Sequence, residues 1–283
     1  MAKIFPYIFI LLWSSAFITT KPIIDYSDPF AALAIRFALV AFGFLIFSIY
    51  SKQKIIVSKI NFLQSFFSGV FFHGFYLGGV FFSISIGMPT SLAALIVTLQ
   101  PILTNVLSGP ILKEKVSIKQ WIGVLLGFVG ALLVLGLEIG SNIPTAGLIA
   151  TIIALLAITS STIWQKTISN NLPLSVSNMY QALGGFSFHL FIIIFFVDPY
   201  IKFSKTFIIA MSHQIFFVSF GAFTILMFLI KKNSASKTVS IFFLIPPTSA
   251  FMAWLFLNEK LSNLDILGFL IASVGVYIST RDK

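Results

Sequence analysis

His73 and Tyr76 stand three residues apart inside a long apolar run, a spacing that puts both on one face of a helix. A neutral imidazole donates one hydrogen bond and accepts another, and protonation turns it into a cation. Either form can hold a carboxylate or another polar ligand; the alternative is a histidine bonded to a neighbouring helix. Arg36 also lies deep in an apolar run. Arginine at the centre of a membrane helix costs about 2.5–3.5 kcal/mol on insertion scales, so something must offset it. That partner is either a ligand carboxylate or phosphate gripped by the planar guanidinium, or a structural group such as Asp25, Asp28 or a backbone carbonyl. Ser91, Ala94, Thr98, Pro101, Asn105 and Ser108 recur at steps of three and four, one continuous stripe on a helix. A water-lined path explains the stripe, and so does close helix packing. Thr98 and Asn105 are its candidates for ligand contact. Trp13, midway along the first apolar run, offers an aromatic wall. Pro101 and the Pro246-Pro247 pair each remove a backbone donor and free a carbonyl one turn earlier, which makes them candidate hinges or plain kinks. No nucleophile–base pair, metal-ligand cluster or Gly-rich phosphate loop accompanies these groups, so no catalytic residue, metal or cofactor is expected.

The elements that position them must be membrane helices. Of 283 residues, 58% are hydrophobic and 9% charged, against roughly 25% charged in a soluble domain. The mean hydropathy is +1.03. Spans are expected near 4–24, 30–50, 62–87, 90–112, 119–138, 145–166, 174–197, 208–230, 235–257 and 264–280. Backbone groups in lipid must bond internally, so these runs read as helices, and little chain is left for a soluble catalytic domain. The net charge of +10 sits in short connections, which points to membrane topology and away from nucleic acid. With the N-terminus in the cytoplasm, 13 Lys and Arg fall inside and 4 outside, so both termini are expected to be cytoplasmic. Cysteine is absent, which excludes disulfides and thiolate chemistry. No Asp or Glu falls in the interior of an expected span, Glu138 and Asp265 standing at span ends, which favours facilitated diffusion or exchange over a carboxylate-driven proton cycle.

A pattern occurs twice, 145 residues apart: Pro101, Leu112-Lys113-Glu114-Lys115, Gly123 and Gly130 become Pro246, Leu257-Asn258-Glu259-Lys260, Gly268 and Gly275. Lys21 maps onto Lys166, Ser15 onto Ser160, and Arg36 onto Gln181, a second polar group at matching depth. Five spans per copy is an odd number, so the second copy must enter the membrane inverted. The expected fold class is an all-α integral membrane protein of ten transmembrane helices. Its halves are residues 1–140 and 141–283, with Glu114 and Glu259 on opposite faces.

Leu12-Trp13-Ser14-Ser15-Ala16-Phe17, Ile35-Arg36-Phe37 and the two runs from Pro101 to Gly130 and from Pro246 to Gly275 carry a resemblance over nearly the whole chain. The sequence resembles the EamA-type branch of the drug/metabolite transporter superfamily. The resemblance implies a basket in which helices 1–4 and 6–9 surround a central cavity and helices 5 and 10 are peripheral. Ile158 stands where such proteins often carry Trp. The implied function is a permease of the bacterial inner membrane for a small polar or zwitterionic metabolite. Amino acids come first and S-adenosylmethionine is a specific alternative. A drug exporter or lipid-carrier flippase of the same fold is the competing reading. The implied partners are a small molecule and the lipid bilayer, and a monomer and a homodimer both fit.

Overall fold

A computed structural model describes residues 4–136, 143–257 and 262–281. Ten helical segments succeed one another among the described residues. They are α1 (Phe5–Tyr26), α2 (Pro29–Tyr50), α3 (Lys59–Ser85), α4 (90–112), α5 (Ile118–Leu135), α6 (Thr145–Ile168), α7 (Leu174–Phe196), α8 (Lys205–Lys232), α9 (235–257) and α10 (Asn263–Thr280). Among the described residues no strand forms; one antiparallel bridge, Ser27 with Ile201, ties the α1–α2 link to the α7–α8 link. The 22 residues of α2 reach about 33 Å at a rise of ~1.5 Å each, enough to cross a hydrocarbon core of about 30 Å. Phe191, Ile194, Phe195, Leu267 and Leu270 are exposed, while Ser68, Gln100, Ser161, Thr162 and Gln165 are buried. Apolar outside and polar inside is what lipid as solvent selects.

Local sequence explains where the helices begin. Asp28 precedes Pro29 and accepts the Ala31 amide at 2.9 Å. Ser58, Ser204 and Ser234 cap α3, α8 and α9 in the same way. Ser117 with Gln120 and Ser262 with Asp265 form capping boxes on α5 and α10, at positions related by the repeat offset.

The inversion is visible in one contact. A Cβ placed on Gly123 would lie 2.5 Å from the Gly275 carbonyl oxygen, and one on Gly130 2.6 Å from that of Gly268. Gly268 and Gly275 are the repeat mates of Gly123 and Gly130, so each glycine meets the mate of the other. Such an isologous, antiparallel contact needs a two-fold axis running across the helices. The repeats are therefore inverted, and α5 and α10 pack backbone to backbone on that axis.

The same symmetry governs the irregular turns. A π-helix occupies Val70–Leu77 in α3 and Gln214–Ala222 in α8. The α-helix of α4 is interrupted at Thr98-Leu99, and α9 tightens into a 3-10 turn at Ile241–Leu244. Both of the latter immediately precede the prolines, whose missing amides deprive Val97 and Phe242 of their usual donors. Glu259, the expected counterpart of Glu114, lies outside the described residues, as does Glu138.

Candidate functional site

A cavity of about 690 Å³ enters the bundle from the face carrying the C-terminus of α1. Its mouth holds the exposed Lys21 and Asp25. Its deep wall holds Trp13, Arg36, Phe72, His73, Tyr76, Ser219, Phe223 and Phe242. Trp13 packs edge-on to Phe72 at 6.2 Å and lies 6.0 Å from Phe242, which makes one aromatic wall out of α1, α3 and α9. Among the expected residues, Trp13, Arg36, His73, Tyr76, Thr98 and Pro246 border this space.

His73 is held between the rings of Phe37 at 4.3 Å and Phe223 at 4.5 Å. Among the described residues neither of its ring nitrogens has a protein partner, and Nδ1 is buried. The His73 carbonyl instead accepts from His189 Nε2 at 3.0 Å, so His189 is a brace on the π-turn of α3. His213 meets Ser15 at 3.1 Å and Thr19 at 3.4 Å, which ties α8 to α1. Thr98 spends its hydroxyl proton on the Ala94 carbonyl at 2.7 Å. Arg36 is only 4% exposed. Its Nε donates to Ser219 Oγ at 2.9 Å, and its guanidinium carbon sits 5.3 Å from the Phe37 ring centroid. No carboxylate pairs with it among the described residues: Asp28 caps α2, and Asp25 stands at the mouth.

Asn105, Gln181, Pro101 and Pro247 do not border the cavity. Only one half of the bundle is open, and these residues belong to the closed half or to the helix contacts behind it. Asn105 lies beyond the break in α4, buried with both amide atoms unpartnered. Gln181 is fully buried, donates to Ser177 at 3.1 Å, and presents its backbone to Gly69 of α3. Asp25 also departs from expectation, because α1 continues to Tyr26 and carries it in the last helical turn. Neither α6 nor α7 lines the space, whereas Val134 and Leu135 of α5 do. Tyr180 bonds to the Ile55 carbonyl at 2.8 Å, Trp164 packs on Phe71, and Trp254 is exposed, so none of these three joins the wall. The side chain of Ser91 lies outside the described residues.

Sequence reasoning missed Gln214, Ser219, Phe72, Phe223 and Phe242, all of which border the cavity. Gln214 and Ser219 are five residues apart and diverge on an α-helix. They share a face because the i→i+5 turn replaces the α-helical one there. The signal available in the sequence was the repeat itself, which maps the His73 region of α3 onto this part of α8.

The closed half is the mirror of the open one. On α1, Trp13, Ala16, Phe17, Thr20 and Lys21 border the cavity. Their mates on α6 are Ile158, Ser161, Thr162, Gln165 and Lys166; the first four are buried and Lys166 is half-buried. Gln165 donates to Ser68 Oγ at 2.7 Å, Ser161 to the Ser68 carbonyl at 3.1 Å, and Gln100 to Thr162 at 3.0 Å. Lys166 Nζ donates to the carbonyls of Ile230 and Asn233 at the end of α8. One chain thus carries the same architecture twice, once open and once shut.

The sequence profile of the EamA-like transporter family matches residues 3–136 and again residues 145–281. The chain belongs to the EamA-like transporter family. A probable amino-acid metabolite efflux pump of Escherichia coli (strain K12) is 24% identical, over 95% of this chain and 91% of its own length. The uncharacterized transporter YvbV of Bacillus subtilis (strain 168) is 23% identical, over 97% of this chain and 90% of its own. A solved crystal structure superposes with a TM-score of 0.84 at 16% identity, covering 99% of this chain and 96% of the other, which establishes the shared fold. This EamA-like protein is therefore a multi-pass membrane transporter.

Proposed function

We propose that this EamA-like transporter is a secondary permease that carries a small polar or zwitterionic metabolite with an apolar part across the bacterial inner membrane by alternating access. Amino acids head the candidates, in keeping with the named role of the Escherichia coli relative; S-adenosylmethionine is the specific alternative. The observation that supports alternating access best is the pairing of an open α1 flank with a shut α6 flank inside an inverted repeat. Exchanging the two conformations between the repeats carries the cavity to the other face without new contacts being invented. In this reading the halves 1–140 and 141–283 trade states. Helices α3–α4 and α8–α9 rock about the breaks before Pro101 and Pro246-Pro247. Both termini are cytoplasmic, so the closed face carrying Lys113 and Glu114 is the cytoplasmic one.

Counterflow in proteoliposomes across a panel of amino acids, their metabolites and S-adenosylmethionine tests this, with and without a proton gradient. At least one compound is expected to exchange without the gradient. His73→Ala is expected to raise half-saturation about five- to tenfold, the worth of about one ligand hydrogen bond. Exchange of no compound would sink the permease reading. Unchanged half-saturation in His73→Ala would remove that residue from the site.

A further inference from the structure

Resting on the permease reading, we infer that the cavity selects for a free carboxylate: Arg36 is its anion anchor, and the favoured substrate is an apolar or amphipathic carboxylic acid whose amino group is not required. Arg36 is more than nine-tenths buried, borders the cavity, and has one protein hydrogen bond, from Nε to Ser219. Its two terminal nitrogens have no protein partner among the described residues. They form one planar edge, spaced to match the two oxygens of a carboxylate. Ser219 holds the other side of the group, and Phe37 lies beside it, so the fork is pre-oriented.

The rest of the deep wall carries no fixed charge: Trp13, His73, Tyr76 and the phenylalanines around them. Among the described residues, the one acid bordering the cavity is Asp25, in the last turn of α1 at the exposed mouth. A monoanion therefore completes the charge balance at depth. A cation meets a like charge with nothing to offset it, and an ammonium group finds no carboxylate there. The aromatic wall receives the apolar body.

Four compounds sharing one body separate the possibilities: 4-methylpentanoate, leucine, leucinamide and isoamylamine. Their binding to the full chain in detergent is read from the shift in thermal unfolding, and in liposomes from inhibition of counterflow. The acid and leucine are expected to bind, with leucinamide and the amine at least tenfold weaker. Arg36→Gln is expected to weaken the acid at least tenfold. Arg36→Lys keeps the charge but loses the fork, and falls between. Without ligand, Arg36→Gln is expected to unfold no earlier than the parent, because no protein acid loses a partner. A structural arginine would behave oppositely, so early unfolding of the ligand-free variant overturns the inference. Equal binding of acid and amine, or unchanged acid binding in Arg36→Gln, also overturns it. These outcomes leave the permease reading standing if counterflow persists; absence of all exchange removes that reading instead.

Discussion

Gly184→Ala and Gly130→Ala are expected to destabilise the protein, while Gly109→Ala is expected to be near neutral. Intrinsic helix propensity favours alanine over glycine by about 1 kcal/mol; at Gly109 the following Pro110 offsets part of this, because a Cβ in the α region before a proline is disfavoured, so a large loss confined to Gly184 and Gly130 isolates tertiary contact. A Cβ on Gly184 would collide with the Phe66 carbonyl of α3, and Gly69 makes the reciprocal approach to Gln181 of α7. On Gly130 it would lie 2.6 Å from the Gly268 oxygen and against the Ala272 backbone. These obstacles are backbone atoms of a facing helix and cannot rotate aside, so whole helices must separate. Overpacking that side chains can absorb costs about 1–3 kcal/mol, and the backbone-limited sites are expected at or above the top of that range. Gly109 differs, since its nearest neighbour would be the Glu114 carbonyl at 3.9 Å. Thermal or denaturant unfolding of the three variants decides the matter. Equal behaviour at the three sites would mean that α3–α7 and α5–α10 do not pack this closely.

What could be read from residue types alone divides along physical lines. The spans were legible because lipid demands long apolar runs, and the inversion because an odd number of spans recurs with conserved spacing. The glycines at 123 and 130 were legible as part of the repeated pattern, though their reciprocal contacts required coordinates. Part of the cavity was legible too, since His73, Tyr76 and Arg36 are polar where polarity is costly. The stripe on α4 misled in an instructive way. It is continuous in sequence from Ala94 to Ser108, yet only Ala94 and Thr98 border the cavity while Asn105 and Ser108 are packed shut. In the permease reading, a sequence with inverted symmetry encodes two half-channels, and one conformation displays one of them. The π-turns were invisible because no residue type signals them, and they decide that Gln214 and Ser219 face the same way.

The closed face supplies the second large effect. Gln100 Oε1, Thr104 Oγ1, both amide atoms of Asn105 and Asn178 Oδ1 are buried there without protein partners among the described residues. Each such group costs about 1–3 kcal/mol relative to being hydrated, so the shut half would tend to open unless something held it. Two charged groups do so. Glu114 accepts the Ala235 amide at 2.8 Å and the Ser236 amide at 3.3 Å, at the positive end of the α9 dipole. Lys166 donates to the carbonyls of Ile230 and Asn233 at the far end of α8. The α8–α9 hairpin is thus clamped from both repeats. The mate of Lys166 is Lys21, which stands exposed at the open mouth beside the cavity. In the opposite state it is expected to reach the end of α3, near Ser85 and Met88, the mates of Ile230 and Asn233. Because the chain has no cysteine, a single Thr104→Cys reports on the closed face without background labelling. Adding Glu114→Ala or Lys166→Met is expected to speed its reaction with an impermeant maleimide about 10- to 100-fold. That range follows from about 1.5–3 kcal/mol per charge-assisted bond at 1.4 kcal/mol per tenfold. Lys21→Met is expected to slow the same reaction, since it weakens the state in which Thr104 is uncovered. Changes in the same direction for Lys21→Met and Lys166→Met would contradict a symmetric exchange of clamps. Opposite changes require that closing one face and opening the other are a single equilibrium.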